Sequence, residues 1–491
     1  MLQKEDNITD NTKKIILFGA GKVGLEALRR YGKDRVAYFC DNSVDKQGQY
    51  IDDIKILSFD ELLGIYDDNY ILVISLEIPY FVIGQLEKNG ILDYIPYQHI
   101  NPRVVIYDEC ENNKEKMHNN MLRRYVEESS KVDLLEDVST FQSLVKDVLK
   151  ESKSNGVLLN YFTRGDEEEG YRYGNLQTLL RFAELDMVEG SYVPVVSHIM
   201  SVPIYSPIFE HKTAVFFSGE YYKELIHRRS PWIPIFTIGP YIHYAKGIYD
   251  SEKLSEKKKS VGKIVLAVLP HALENAGRSF DKKKFVDTVK KLYGKDYDQM
   301  WLCVYFADIN DDACKYAQDL GFHIVTAGFR FDPMFNERLK TIIQMSDAVV
   351  CGEIGGFLTY SLYYNKPIAR VNMSNNETII DIQYERKAEV DIEKTPDYLQ
   401  FEKNFYSLFN EELTINESKI EWMDPLGGYK LVKSKDFIRN AFEIAKDIWE
   451  CSDGNFRKYP SSVREVYYKY NGMCDLDKMY ILRQAVGPYV D

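Results

Sequence analysis

The 491 residues exceed a single domain; at about 150 residues each they suggest roughly three. Apolar residues at 45 % and charged residues at 28 % exclude a mostly disordered chain. The net charge of −13, with no long Lys/Arg block, excludes a whole-chain nucleic-acid binder, which needs a basic face for phosphates.

The chain opens with an apolar run at 14–18 that reads as a buried strand. Gly19-Ala-Gly21-Lys-Val-Gly24 leads from it into a helix ending near Tyr31. A strand over 36–40 ends at Asp41, and a helix over 59–66 precedes a third strand over 70–75. Strand, glycine turn and helix in repetition are the signature of parallel βαβ units. In the glycine run, Gly19 permits the tight turn, Gly21 lets the backbone approach a pyrophosphate, and Gly24 lets helix pack on strand. The helix start offers N–H donors to a phosphate, and Asp41 stands where a ribose hydroxyl would lie. Residues 1–110 are therefore expected to be a Rossmann-like half-domain for a nucleotide or NAD(P), the alternative being a structural remnant. Within residues 1–110 no Tyr-x-x-x-Lys dyad follows it, so dehydrogenase activity is not expected.

Residues 111–155 carry regular apolar positions among Lys, Glu and Asp and predict a helical spacer. Over 156–250 the α/β pattern returns, with strands at 157–159, 192–196, 214–217 and 233–238 and helices at 176–184 and 221–228. The stretch 250–261 is charged without apolar periodicity and reads as a linker. A further α/β unit, 262–375, alternates strands at 263–269, 300–306, 323–327, 348–351 and 367–371 with helices at 282–293, 311–320, 336–346 and 355–364. The remainder, 376–491, is acidic and reads as mostly helical.

Two uncharged stretches, 192–209 and 231–245, each contain three prolines and do not suit a spanning helix. The first fourteen residues lack the apolar core of a secretion signal. The seven cysteines are scattered without a C-x-x-C pair, which argues against a disulfide framework or a zinc site. The expectation is a cytoplasmic protein with no transmembrane segment, working at most at the inner face of a membrane.

In the 262–375 unit, ligand-binding residues are expected beyond the carboxyl ends of the strands. His271 follows the first strand and suits a phosphate or nucleotide contact, or is a loop histidine without one. Arg330 follows the third strand, where a bidentate charged contact is available. Gly355 and Gly356 open a helix after a buried strand and make an anion site, with Glu353 placed to accept from ribose hydroxyls. The order S-D-A-V-V-C, G-E-I-G-G, helix, Y-N-K-P-I, strand resembles the donor half of GT-B glycosyltransferases over about 152–375. On that resemblance Gly355 and Gly356 match the diphosphate-binding helix start, Glu353 the residue before it, and Arg330 a phosphate-balancing position. The phrase F-T-I-G-P-Y-I-H-Y-A, with the fused N-terminal unit, resembles proteins of bacterial capsule and O-antigen clusters.

The resemblance implies a two-lobed body with an acceptor lobe at 156–250 and a donor lobe at 262–375. It implies transfer of a sugar from a nucleotide-activated donor to a hydroxyl of a glycan or lipid-linked acceptor in surface-polysaccharide synthesis. The nucleotide-sugar is then a substrate, no cofactor is required, and helix dipole, Arg330 and His271 offset leaving-group charge without a metal. His198 reads either as the base for the acceptor hydroxyl or as a structural histidine, with the Arg164–Gly170 acidic run a rival source of a base. Nucleotide-sugar 2-epimerases share the two-lobed architecture, so an isomerase stays open, as does a non-catalytic nucleotide-binding scaffold.

Overall fold

The computed structural model describes residues 12–76, 82, 85–86, 89–91, 93–97, 124–155, 172–186, 194–196, 213–228, 230–269, 276–279, 281–371, 378–382, 396–454 and 458–490. The chain divides into two compact units, Met1–Tyr107 and Asp108–Asp491. It is α/β throughout: a parallel βαβ unit, then a two-lobed α/β body, then a largely helical C-terminal segment.

In the first unit, β1 (Lys14–Phe18) is buried from Ile15 onward because it is apolar on both faces. α1 (Lys22–Tyr31) returns the chain to β2 (Val36–Cys40), which pairs parallel to β1. β3 (Tyr50–Ile51) and β4 (Ile54–Leu57) form a hairpin. α2 (Phe59–Ile65) starts on a capping box of Ser58 and Glu61. β5 (Tyr70–Ile74) and β6 (Ile95–Pro96) complete the sheet in the order β3-β4-β2-β1-β5-β6. The hairpin was not legible in the sequence because its turn is Asp52-Asp53, both left-handed (φ 48° and 66°), without the glycine that usually marks such a turn.

The body begins with α3 (Ser139–Asn155), whose Phe141, Val145 and Val148 are fully buried against the larger sheet. The first lobe holds α4 (Asn175–Ala183), β7 (Val195–Val196), β8 (Val215–Phe217), α5 (Tyr221–His227) and β9 (Ile235–Thr237). Its strands are parallel in the order β7-β8-β9. The sequence-predicted strand at 157–159 lies outside the described residues.

The expected linker is a helix, α6 (Ser251–Val261). Asp250 caps it by accepting from the Lys253 N–H at 2.8 Å, and Lys, Glu and Ser supply adequate helix propensity without an apolar stripe. It buries no residue and is tethered by Lys257 to Glu136 and by Lys258 to Asp347. Periodicity detects burial, so a helix that buries nothing leaves no such signal.

The second lobe contains β10 (Ile264–Val268), β11 (Ala276–Ser279), α7 (Lys282–Tyr293), β12 (Gln299–Cys303), α8 (Asp312–Asp319), β13 (Phe322–Val325), α9 (Phe335–Met345), β14 (Ala348–Cys351), α10 (Gly356–Tyr363) and β15 (Ile368–Arg370). Five of its strands form a parallel sheet in the order β13-β12-β10-β14-β15. The region beyond 376 is mostly helical, as expected, with one strand, β16 (Thr378–Ile382), which pairs antiparallel with β11. α11 (Pro396–Leu408) and α12 (Glu417–Gly427) then pack on the five-stranded sheet. α13 (Lys435–Cys451), α14 (Tyr459–Met473) and α15 (Leu476–Val486) cover the three-stranded one. One apolar cluster runs from Val215, Phe217 and Ile235 to Ile264, Leu266 and Val349, so the lobes share a core.

Candidate functional site

Strand order fixes where a ligand can sit on the five-stranded sheet. From β10 the chain builds outward through β12 to β13, then crosses back to β14 on the other side of β10. Loops leaving β10 and β14 therefore diverge, and the crevice between their carboxyl ends is the topological switch point. Gly352–Gly355 leaves β14 there and delivers the start of α10. Gly355 is the N-cap in extended backbone (φ −170°, ψ 175°), and a Cβ added to it would meet nothing within 4 Å. Its carbonyl accepts from Leu358 N–H at 3.0 Å, and no side chain caps the helix. The first-turn amides of such a helix have no intrahelical partner. Glu353 is half-buried just before it.

Arg330 lies further along the same edge of the sheet. It lies on the loop after β13, is 5 % exposed, and places its guanidinium 5.7 Å from the centroid of Tyr305, which follows β12. β13 and β14 are separated by β12 and β10, three strand spacings or about 14 Å. Arg330 and Gly355 thus share one edge of the sheet without adjoining. His271 and His198, and the Arg164–Gly170 run, lie outside the described residues.

Behind Arg330 is a polar cluster that the sequence reading missed. Arg338 pairs with Asp332 at 2.5 Å with both side chains almost fully buried (4 % and 0 %). Asp332 also accepts from the Ser129 hydroxyl at 3.3 Å and the Met334 N–H at 2.8 Å, and Arg338 donates to the Ala327 carbonyl at 3.2 Å. Glu337 pairs with Arg181 of α4, and Asn336 donates to Asn175 at 2.9 Å. In the sequence, Asn336-Glu337-Arg338 resembles the solvated face of an amphipathic helix. A second inter-lobe contact joins His243, beyond β9, to Tyr363 of α10 through Nδ1 at 2.6 Å. Burial, and then the charge of Lys340, hold the His243 pKa below its ordinary value.

In the first unit the three glycines of the run differ in their surroundings. Gly19 has φ 122°, and a Cβ there would lie 2.4 Å from the Ser75 carbonyl oxygen. A Cβ on Gly24 would lie 1.9 Å from the Gly19 carbonyl oxygen, whereas one on Gly21 would meet nothing within 4 Å. Asp41 is 8 % exposed and turned onto the loop itself. Its Oδ2 accepts from Ala20 N–H at 2.8 Å and Lys46 Nζ at 2.9 Å, its Oδ1 from Ser43 N–H at 2.9 Å.

Burial pushes the Asp41 carboxyl up, but the bonds from Lys46, Ser43 and Ala20 outweigh it and leave the pKa below the usual carboxylate value. A depressed native pKa contributes stability that is fully present above the unfolded value, about pH 4, and lost as pH falls through the native one. Asp41→Asn is therefore expected to destabilise the first unit more at pH 7 than at pH 3, as urea melts at the two pH values would measure. An equal deficit at both would remove the linkage.

Among the described residues no group of three or more His, Cys, Asp or Glu side chains is arranged to hold a metal ion. Nor is any helix among them long and apolar enough to cross a membrane.

No protein-family model matches the chain, and no curated protein does. Solved structures that are similar include a Staphylococcus aureus MnaA–UDP co-structure, 12 % identical over 88 % of this chain and 96 % of that one, with a TM-score of 0.29. A UDP-GlcNAc 2-epimerase from Neisseria meningitidis bound to UDP-GlcNAc is 12 % identical over 88 % and 98 %, with a TM-score of 0.26. UGT2 of Phytolacca americana, complexed with UDP-2fluoro-glucose and pterostilbene, is 12 % identical over 98 % and 100 %, with a TM-score of 0.23. Scores this low carry no functional argument; the architecture stands on the strand order above.

Proposed function

We propose that the body is a GT-B-type glycosyltransferase that binds a nucleotide-sugar across the β10/β14 crevice and transfers the sugar to a hydroxyl acceptor in bacterial surface-polysaccharide synthesis. The observation that carries this reading is the start of α10 at the switch point, which no side chain among the described residues caps. There, N–H donors and the positive end of a helix dipole suit a diphosphate. Arg330, further along the same sheet edge, is assigned to the donor as a positive charge whose side chain is already held beside the Tyr305 ring, so little entropy is lost on binding. As the donor bond breaks, charge grows on the diphosphate, and fixed dipoles and cations in a low-dielectric crevice stabilise it most at that point, without a metal. His271 is assigned to the same phosphates, Glu353 to the ribose, and His198 to deprotonation of the acceptor. The first unit is assigned a nucleotide, held by Gly19, Gly21 and Gly24. Asp41, with three bonds to its own loop, acts chiefly to shape that loop.

The test is a thermal-shift titration of the full chain with UDP, GDP, CMP, NAD and NADP, with and without magnesium. A ligand at a hundred times its dissociation constant adds about 2.7 kcal/mol of stability. The expected result is a magnesium-independent shift with one of UDP, GDP or CMP. Gly355→Asp should abolish it without loss of fold, because Asp is a good N-cap and its carboxylate takes the place of the phosphate. A shift with NAD or NADP alone, unchanged in Gly355→Asp, overturns the reading. Incubation with the matching nucleotide-sugar then separates transfer, which releases nucleotide only with an acceptor, from epimerisation, which changes the sugar and needs none.

A further inference from the structure

We propose that the left-handed pair Tyr173–Gly174 is a positioning element for Arg330, through which the first lobe sets the geometry of the crevice in the second. The inference rests on the crevice reading above. Tyr173 has φ 58° and ψ 20°, and Gly174 has φ 66° and ψ 17°. Two successive left-handed residues turn the chain sharply just before α4. Non-glycine residues avoid that backbone region, and it persists where the surroundings over-determine it.

Against this turn lies the main chain of the Arg330 loop. Tyr173 N–H donates to the Arg330 carbonyl at 2.6 Å. A Cβ on Gly174 would lie 2.9 Å from the carbonyl oxygens of both Asp332 and Pro333, so backbone meets backbone with no room for a side chain. α4 continues the hold: Arg181 donates to the Pro333 carbonyl at 2.7 Å and pairs with Glu337, while Asn175 accepts from Asn336 at 2.9 Å. The main chain of Arg330 is thus carried by the first lobe, and its guanidinium by Tyr305 of the second. A movement of the 172–174 segment moves the charge that Arg330 offers to the donor.

The experiment is calorimetric titration of the full chain with UDP, GDP and CMP for Arg330→Ala, Gly174→Ala, the double variant, Tyr173→Pro and Tyr173→Asn, each checked for folding by thermal melt. Loss of one charge-assisted contact predicts about tenfold weaker binding for Arg330→Ala. Gly174→Ala and Tyr173→Pro, which cannot hold φ near +58° or donate the N–H, should lose a similar factor. The double variant should bind no more weakly than Arg330→Ala alone. Tyr173→Asn keeps the N–H and tolerates the left-handed region, and should stay within about twofold of the parent. Where Gly174→Ala does not fold, the Tyr173 pair decides.

Parent-like affinity in Gly174→Ala and Tyr173→Pro beside a loss in Arg330→Ala overturns the inference alone, as do losses that multiply in the double variant. Parent-like affinity in Arg330→Ala overturns it by removing Arg330 from the site. If the parent binds none of the three nucleotides, the crevice reading falls and the inference with it.

Discussion

Asp332→Ala is expected to destabilise the body by about 3–5 kcal/mol, the loss typical of breaking a buried ion pair from one side. The substitution leaves the Arg338 guanidinium 4 % exposed, with the Ala327 carbonyl as its remaining acceptor in this cluster. It also strips an acceptor from the Ser129 hydroxyl and from Met334 N–H at the start of α9. Removing both charges should cost less than removing one, because desolvation of the pair is then avoided. Asp332→Asn with Arg338→Met is therefore predicted to be more stable than Asp332→Ala. Urea melts of the full chain, read on the body's transition, supply the comparison. A double variant no better than the single would mean that the cluster holds the loop mainly through its neutral hydrogen bonds.

That cluster shows why part of the site was hidden in the sequence. Strands such as 14–18 and 348–351 are legible because a strand buried on both faces must be apolar throughout, and little else is. The glycine runs are legible for a related reason: only glycine fits a position such as Gly24, where a Cβ would strike a carbonyl at 1.9 Å. Gly355 is the reverse case, since nothing in the fold forbids a side chain there and its meaning depends on the open space beside it. Buried charges leave no comparable trace. Asp332, Glu337 and Arg338 look like surface residues until packing supplies their partners. Asp41 was placed correctly at the tip of β2, but its direction, onto Ala20 N–H rather than outward, was set by Lys46 and Ser43 in a turn with no sequence signature. α6 and the β3–β4 hairpin failed for opposite reasons, one lacking an apolar stripe and the other lacking a glycine turn.

The glycine run of the first unit permits a test in which two neighbouring substitutions have opposite consequences. On helix propensity alone, Gly24→Ala inside α1 should stabilise by about 1 kcal/mol. The added methyl, however, would lie 1.9 Å from the Gly19 carbonyl oxygen and 3.3 Å from the Phe39 ring, so α1 must lift off β1. Overpacking of that kind costs about 1–3 kcal/mol or more, which exceeds the propensity gain. The net effect should be loss of amide-exchange protection across β1 and α1. Gly21→Ala adds the same methyl three residues earlier, at φ −113° and with nothing within 4 Å, and should shift stability by at most about 0.5 kcal/mol. Its methyl projects into the space a pyrophosphate would need against the backbone, so nucleotide binding by the first unit should be lost while the fold is kept. Preserved binding in Gly21→Ala would make the run a packing device for α1, with Gly19 and Gly24 serving the fold and Gly21 serving nothing beyond the turn.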